Sequence, residues 1–236
     1  MSRPVRRCVL LFARSPREEA RTKRLRGAEG LFALAGERVA EAAARGGFDL
    51  LVVGDGGPPK QEGKARLSQR GRGFADRLLN AFADAAALGY TQVVAVPGDV
   101  PGLDAAVLAE AGRALEEGGV VLGPSPDGGV YLLGCAPSLA PAFRDVRWRT
   151  GAVFADLRAR ALGLGLAVRA LGALPDVDRC RDLDELARHA DHDIALLLLV
   201  REIRRSRTPV SLGVEARLLG LFQPLAFALR GPPAAA

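Results

Sequence analysis

The 236-residue chain has few cysteines and few histidines, which narrows the chemistry open to it. Its three cysteines, Cys8, Cys135 and Cys180, are far apart and form no Cys-x-x-Cys pair. This spacing argues against a disulfide framework or a structural zinc site and is typical of a reducing cytoplasm. The two histidines, His189 and His192, fall in a late predicted helix, away from the strand ends, so serine–histidine catalysis finds no support.

Long apolar runs are also missing. The longest run, residues 194–200, is far too short to cross a membrane. An earlier run, residues 8–13, follows basic side chains, but it is too short for the core of a signal peptide and no small-residue cleavage site follows it. The sequence therefore predicts a cytoplasmic protein without a transmembrane segment.

Lysine is scarce, so nearly all of the positive charge is arginine. The net charge is +6, yet residues 1–26 hold nine basic and two acidic side chains, so this segment carries +7 and the rest of the chain −1. Aromatic residues make up 5% of the chain and do not alternate with the basic ones, as they do in proteins that stack single-stranded nucleic acid. One basic segment favours a phosphate ligand and argues against nucleic acid.

Predicted strands and helices alternate along the chain at the spacing of βαβ units. This alternation predicts an α/β fold with a mostly parallel sheet. Strands are predicted at residues 8–13, 48–53, 92–96, 120–123, 130–134 and 166–171. Helices are predicted after the basic segment up to Gly46 and at residues 74–88, 103–115, 150–162 and 183–206, the last being long and open to division into two pieces.

The chain is predicted to divide into a domain at residues 1–207 and an apolar C-terminal extension at 208–236. Residues 58–72, between the second strand and the next helix, are expected to form an exposed loop with a short strand at most. The extension could be a packing arm, a surface helix or a contact in a homodimer. Its last six residues, Gly-Pro-Pro-Ala-Ala-Ala, are expected to be disordered.

The stretch from Val93 to Leu103 is the centre of the predicted fold. Val93 to Val96 read as a buried strand, which ends at a turn containing Pro97 and Gly98. Asp99 is the only charged side chain of this turn. Ligands of open α/β sheets bind just beyond the carboxyl ends of the strands, where one carboxylate could hold a divalent metal on a phosphate. The alternative is a turn aspartate that bonds its own backbone.

The basic segment after the first strand is a candidate phosphate cradle. Its cations are Arg14, Arg21, Lys23 and Arg24, and a helix follows them. The Walker pattern GxxxxGK[ST] is absent. The alternative is a solvated basic surface.

Three further loops could join Asp99. Gln69-x-Gly71-x-Gly73 with Arg77 would allow a ligand close to the backbone and the start of a helix, or form a flexible hairpin turn. Asp127-Gly128-Gly129 is a turn signal between two strands. Asp176-Val177-Asp178 places two carboxylates on one loop, where they could complete a metal site or where Asp178 could cap a helix.

Taken together, these segments resemble a known family. The pieces that carry the resemblance are Phe12-x-Arg14-x-Pro16 with Arg24-Leu25, Gln69-x-Gly71-x-Gly73 with Arg77, Gly98-Asp99-x-Pro101-Gly102-Leu103, Gly123-Pro124, Asp127-Gly128-Gly129-x-Tyr131-Leu132-x-Gly134, Trp148-x-Thr150, and Asp176-Val177-Asp178 with Asp182-Leu183. In this order they resemble the radical-SAM/selenodomain-associated glycosyltransferase-like transferases. That family is similar in turn to the nucleotide-diphospho-sugar transferase (GT-A) superfamily, which includes 2-phospho-lactate and molybdenum-cofactor guanylyltransferases. The resemblance spans roughly Val9 to Leu186.

The resemblance implies a three-layer α/β/α GT-A-like fold and a metal-dependent transferase acting on a nucleotide-activated substrate. A nucleotide-sugar glycosyltransferase is the leading prediction; a nucleotidyltransferase using a nucleoside triphosphate and a non-catalytic binding protein of the same fold are the alternatives. The implied cofactor is Mg²⁺ or Mn²⁺, held by Asp99 and Asp178, and the acceptor is an unidentified small molecule. Asp99 and Asp127 are the implied catalytic residues. The residues implied to bind substrate or nucleotide are Arg14, Arg21, Lys23, Arg24, Gln69, Gly71, Gly73, Arg77, Gly128, Gly129 and Trp148.

The first loop departs from the family pattern. The family usually reads Lys-x-Pro-x-x-Gly-x-x-Lys-Thr-Arg-Leu there, whereas this chain has Arg14 for the first lysine, Glu19 for the glycine and Thr22-Lys23 for Lys-Thr. Arginine supplies a similar charge in a different geometry. Glu19 places an anion where the family has a glycine, and this charge is expected to weaken phosphate binding by the first loop.

Overall fold

The computed structural model describes residues 5–54, 65–190 and 193–207. The strands are β1 (Arg7–Phe12), β2 (Asp49–Val53), β3 (Arg66–Leu67), β4 (Gln92–Pro97), β5 (Val120–Pro124), β6 (Val130–Cys135) and β7 (Val168–Ala170). The helices are α1 (Pro16–Thr22), α2 (Glu29–Arg45), α3 (Phe74–Ala87), α4 (Ala105–Glu116), α5 (Val153–Gly163), α6 (Asp182–His189) and α7 (Ile194–Arg207). A 3₁₀ helix, Pro137–Phe143, follows β6.

The strands form one sheet in the order β3-β2-β1-β4-β6-β5-β7. β1 pairs in parallel with β2 on one side and with β4 on the other, and only β6 is antiparallel to its neighbours in the described part of the chain. The predicted α/β fold with a mostly parallel sheet is therefore confirmed. The chain leaves β1 for β2 in one direction and reaches β4 in the other, so the carboxyl ends of β1 and β4 flank a topological switch point.

Helices cover both faces of the sheet because β1 is apolar on each. Cys8 and Leu10 of β1 face a core completed by α3 and α5, while Val9 and Leu11 face a core completed by α2 and α4. All four side chains are fully buried. This near-continuous apolar run is the pattern of a strand covered on both sides, and it produces the three-layer architecture.

A third apolar cluster lies beside the main layers. It joins α1 and the start of α2 to α6 and α7 through buried residues such as Leu25, Leu31 and Leu186. Of the two alternatives predicted for residues 183–206, one long helix or two pieces, the structure has the second, α6 and α7. Within the described ranges, no helix has the length and apolar character needed to cross a membrane.

Two local features differ from the sequence predictions. The basic segment was predicted to be a loop leading into a helix, but Pro16–Thr22 form α1, because Ser15 accepts a hydrogen bond from the Glu18 amide and Pro16 starts the helix. The 3₁₀ helix was not predicted, since Pro141 interrupts its pattern. The expectations for residues 55–64 and for the C-terminal extension, including its disorder and its dimer contact, fall outside the described residues.

Candidate active site at the switch point

The turn after β4 is held against the turn after β1. The Gly98 amide donates to the Phe12 carbonyl oxygen at 3.0 Å, and a Cβ added at Gly98 would lie 2.8 Å from the Cβ of Ala13. Glycine is required there because a side chain would force the two turns apart. The close contact brings the basic segment after β1 to Asp99.

A second backbone hydrogen bond holds the late acidic loop, residues 176–178, beside Asp99. The Val177 amide donates to the carbonyl oxygen of Asp99 at 3.0 Å. This bond ties residues 176–178 to the β4 turn, although the two segments are far apart in sequence. Asp99 and Asp178 consequently face the same point, as the sequence predicted for loops that end at one edge of the sheet.

Lys23 occupies that point. Its ammonium contacts Asp99 Oδ2, and it lies 2.8 Å from Asp178 Oδ1 and 2.8 Å from the Val177 carbonyl oxygen. Glu19 Oε1 follows at 3.4 Å. The Lys23 side chain is only 8% exposed. The alternative role of Asp99 as a turn residue bonded to its own backbone is not what the structure shows.

Glu19 connects Lys23 to Arg14. Its other carboxylate oxygen lies 3.1 Å from Arg14 Nη1, so one buried glutamate contacts both cations. A glutamate on the inner face of α1 is tolerable because it is paired on both oxygens. The anion that the sequence places in the first loop is therefore bound to the loop's own cations.

Burial and neighbouring charges shift the ionisation of this cluster. Burial alone would lower the pKa of Lys23, but the carboxylates of Asp99 and Asp178 outweigh it and raise that pKa above its ordinary value. Burial raises the pKa of Asp99 above its ordinary value, against the opposing effect of Lys23. Oδ1 of Asp99 is buried without a hydrogen-bond partner among the described residues. The cluster therefore has spare acceptor capacity.

Asp176, which the sequence paired with Asp178 as a possible completion of a metal site but which is not among the implied site residues, lies beside the same carboxylates. Burial, and then the nearby carboxylates of Asp99, Asp127 and Asp178, raise the pKa of Asp176 to about 7. The loop also lines a cleft of about 420 Å³ together with Asp127 and the start of α6. The signal in the sequence was the pairing of Asp176 with Asp178 on one loop, because its other neighbours, Asp99 and Asp127, come from two distant segments.

Asp178 does not cap a helix, because α6 begins at Asp182 and has no side-chain hydrogen bond at its N-terminal cap, Arg181. Asp182 Oδ2 accepts hydrogen bonds from the backbone amides of Asp178 at 2.9 Å and Arg179 at 2.6 Å. Asp178 therefore keeps its carboxylate free to contact Lys23. Its side chain is 60% exposed, so it forms the open side of the cluster.

Arg21 and Arg24 lie away from Asp99. With Arg17 and Arg26 they line a cleft of about 640 Å³ on the opposite side of α1, near the end of α7. Arg17, Ala20 and Arg21 share one face of α1, and Arg24 follows the helix with a φ of +56°, whereas Glu19 and the C-cap residue Lys23 lie together on another face. The predicted phosphate cradle is thus divided, with Arg14 and Lys23 at the switch point and Arg21 and Arg24 in a separate basic cleft.

The glycine-rich segment after β3 packs beside the end of β2. Gln69 Nε2 donates to the Val53 carbonyl oxygen at 3.2 Å. Gly71 has a positive φ of 129°, and a Cβ there would collide with Asp76. Gly73 precedes α3 and has open space around it, and Arg77 lies in the first turn of that helix. This segment leaves the amino end of α3 accessible.

Trp148 supports this end of α3. Its ring lies 5.2 Å from that of Phe74, which in turn lies 6.5 Å from that of Phe12. The indole Nε1 donates to the Phe143 carbonyl oxygen at 3.2 Å. The observed contacts of Trp148 are therefore packing contacts.

The Asp127-Gly128-Gly129 segment is a tight turn between β5 and β6. Asp127 Oδ1 accepts from the Gly129 amide at 2.8 Å, as expected of a turn aspartate. Gly128 has a φ of +87°, and a Cβ there would collide with the Gly151 carbonyl oxygen. Asp127 thus has a structural role, and it also faces the cleft beside Asp176.

The oxygens around Lys23 are those that Mg²⁺ and Mn²⁺ prefer. Carboxylates of Asp99 and Asp178 and the Val177 carbonyl converge there, and Oδ1 of Asp99, which has no hydrogen-bond partner in the described part of the chain, is a further possible metal ligand. The described residues contain no cluster of three His, Cys, Asp or Glu side chains arranged for a metal. The donor set fits an ion held by two carboxylates plus phosphate or water, provided that the ammonium moves away.

Known proteins share this architecture. A family model described as "Uncharacterized protein conserved in bacteria (DUF2064)" matches residues 23–150. A protein from Desulfovibrio desulfuricans G20, provisionally named a nucleotide-diphospho-sugar transferase, has 23% identity and a TM-score of 0.72, covering 85% of this chain and 99% of its own. Comparison with curated proteins gives no match.

Two further structures, which have lower TM-scores, are complexes with a ligand. CMP:2-keto-3-deoxy-manno-octonic acid synthetase complexed with CTP has 12% identity and a TM-score of 0.51, with 80% of this chain and 100% of that chain covered. Rv0371c from Mycobacterium tuberculosis H37Rv in complex with manganese has 18% identity and a TM-score of 0.52, with 78% and 100% covered. At these identities the likeness establishes a shared fold, that of the nucleotide-diphospho-sugar transferases.

Proposed function

We propose that this chain, which belongs to the DUF2064 family of proteins conserved in bacteria, is a metal-dependent transferase acting on a nucleotide-activated substrate, in the first instance a nucleotide sugar. The observation that carries the proposal is the cluster of Asp99, Asp178 and Lys23 at the switch point. Open α/β sheets bind their ligands at such points. Paired carboxylates and cations there suit a phosphate–metal complex.

Each residue has a task in this proposal. Asp99 and Asp178 would hold Mg²⁺ or Mn²⁺, which stabilises negative charge on the phosphates when bound. Arg14 and Lys23 supply positive charge on the same side, so that charge developing on a departing nucleoside diphosphate meets preorganised cations. Asp127 and Gly128 border the neighbouring cleft, which suits a sugar or an acceptor. The amino end of α3, which Gly71 and Gly73 precede, is accessible and would contact the remaining part of the nucleotide.

Nucleotidyl transfer is the second candidate. It is favoured by the structural likeness to a synthetase whose complex contains CTP. In that reaction an acceptor phosphate attacks the α-phosphorus of a nucleoside triphosphate, and pyrophosphate leaves. The same cations would stabilise the triphosphate, so the product released, nucleoside diphosphate or pyrophosphate, separates the two reactions.

A non-catalytic nucleotide-binding protein is a third candidate, favoured by the saturation of Lys23 with the protein's own carboxylates. We also propose, as the sequence predicted, that the acceptor is a small molecule, that the protein is cytoplasmic and that residues 208–236 form a contact in a homodimer.

A thermal-shift screen tests the proposal. Nucleoside triphosphates and nucleotide sugars are added to the full chain with and without Mg²⁺ or Mn²⁺. A ligand at about 100 times its Kd stabilises the folded state by about 2.7 kcal/mol, which corresponds to a rise in Tm of roughly 5–10 °C for a chain of this size. If no nucleotide raises Tm, the proposal is wrong.

The Asp99→Ala variant tests the metal site within that screen. It should lose the metal-dependent part of the ligand-induced shift. The matched control is Asp145→Ala, because Asp145 is 76% exposed and pairs with Arg160 far from the cluster. An unchanged metal-dependent shift in Asp99→Ala would show that the metal binds elsewhere. A wild type that binds nucleotide but releases neither nucleoside diphosphate nor pyrophosphate from any donor would favour the non-catalytic candidate.

A further inference from the structure

The Lys23 ammonium is largely enclosed, since its side chain is only 8% exposed. Its three N–H donors have three oxygen acceptors, on Asp99, Asp178 and Val177. The Phe32 ring lies 5.4 Å from Nζ and covers the remaining side. A lysine on a solvated surface has no need of such an arrangement, because water satisfies its donors.

The same three oxygens form a cation site of another kind. Two carboxylates and a backbone carbonyl are hard oxygen ligands, which bind Mg²⁺ or Mn²⁺ as readily as they bind an ammonium. Among the residues that the structure describes, Oδ1 of Asp99 has no hydrogen-bond partner, since all three protons of Lys23 already face other oxygens. A divalent ion carries twice the charge and accepts more ligands, so it can use this oxygen as well.

We propose that the Lys23 ammonium occupies the cation position between Asp99 and Asp178, so that a divalent metal binds this chain only by displacing it. This inference rests on the proposed function, which places the metal at the same carboxylates. An ammonium and a metal ion cannot share these oxygens, because two cations a few ångströms apart repel strongly where water is excluded. Lys23 is thus an internal counter-ion that sets how tightly the metal binds.

The surroundings give the displaced ammonium a second position. Glu19 Oε1 is already 3.4 Å from Nζ, and it belongs to the same face of α1. A rotation of the lysine side chain toward Glu19 and Arg14 would vacate the oxygens of Asp99 and Asp178 without moving the helix. The ammonium would then remain beside any phosphate bound to the metal.

Manganese binding by variants of the full chain tests the inference. Free Mn²⁺ is followed by electron paramagnetic resonance in the absence of nucleotide. Lys23→Met removes the internal cation while keeping the length of the side chain, and it should lower the Kd for Mn²⁺ by about tenfold or more. Adding Asp99→Asn to that variant should abolish the gain.

Arg45→Met is the matched control, since it removes one positive charge from an exposed ion pair with Glu41 on α2. It should leave the Kd within about twofold. The inference is wrong if Lys23→Met binds Mn²⁺ no more tightly than the wild type, or if Arg45→Met produces the same gain.

A labelling experiment on the wild type avoids any dependence on the stability of the variant. Mass spectrometry follows the acetylation of Lys23 by acetic anhydride, with and without saturating Mn²⁺. Displacement should make Lys23 more reactive, while unchanged or slower labelling overturns the inference. The proposed function fails differently, when no nucleotide or nucleotide sugar raises Tm, because these measurements use the metal alone.

Discussion

Asp176→Asn is expected to stabilise the protein at alkaline pH and to have little effect at acidic pH. Burial among the carboxylates of Asp99, Asp127 and Asp178 raises the pKa of Asp176 from 3.8 to about 7. The folded chain therefore holds a proton on Asp176 between about pH 4 and pH 7, where the unfolded chain has released it. Raising the pH through this window removes stability, and above pH 7 the loss is complete.

The size of the effect follows from the shift. Each pKa unit corresponds to about 1.4 kcal/mol, so the full shift would amount to about 4 kcal/mol. Asp176 is partly exposed, and solvent screening reduces this to about 2 kcal/mol. The free energy of unfolding of Asp176→Asn should thus exceed that of the wild type by about 2 kcal/mol at pH 8 and by about zero at pH 4.

Urea denaturation followed by circular dichroism at pH 4 to 8 measures this difference, in EDTA so that no divalent ion lowers the pKa of Asp176. Glu37→Gln is the control, because Glu37 is exposed and has no ion pair among the described residues. It should give a difference that does not change with pH. The reasoning is refuted if the difference for Asp176→Asn is also constant from pH 4 to pH 8.

Three other substitutions have defined expectations. Gly128→Ala should lower the free energy of unfolding by at least about 2 kcal/mol in urea denaturation, because Gly128 has a positive φ and faces the Gly151 carbonyl oxygen. Gly163→Ala, at the end of α5 with no atom close to the added methyl group, should not lower the free energy of unfolding. Equal effects of the two substitutions would contradict this reasoning. Arg14→Ala should weaken nucleotide binding about tenfold in titration calorimetry, whereas Arg21→Ala should change it less than about twofold. The reason is that Arg14 lies at the switch point and Arg21 lines the separate basic cleft. A larger effect of Arg21→Ala would refute the division of the basic segment. Trp148→Ala should cost about 2 kcal/mol by circular dichroism melts through loss of ring packing, and a loss of nucleotide affinity at unchanged stability would show instead that Trp148 contacts ligand.

The structure also alters how the first loop is understood. From the sequence, Glu19 was an anion expected to oppose phosphate binding. In the folded protein it is buried and paired with Arg14 and Lys23, so it orients the cations of the site. In the proposed function, metal binding at this loop requires Lys23 to leave the carboxylates of Asp99 and Asp178.

Strand and helix positions were predictable because they depend on local patterns. The apolar run of β1 and the periodicity of α2 each lie within a few consecutive residues, and their bounds agree with the structure to within about two residues. The Asp127-Gly128-Gly129 turn was equally readable, since the turn chemistry is local. Helix α1 was missed because its polar, arginine-rich sequence has no apolar stripe.

The sequence alone determined the α/β fold, the turn carrying Asp99 and the presence of carboxylates and cations able to meet at one sheet edge. Only the tertiary structure decided which of them meet. Two backbone contacts, from Gly98 to Phe12 and from Val177 to Asp99, place Lys23 between Asp99 and Asp178 and leave Arg21 on the far side of α1. The type of a residue determines what its side chain can bind. Its actual partner depends on which distant segments the fold brings together, and Lys23 and Asp99 are 76 positions apart in the sequence.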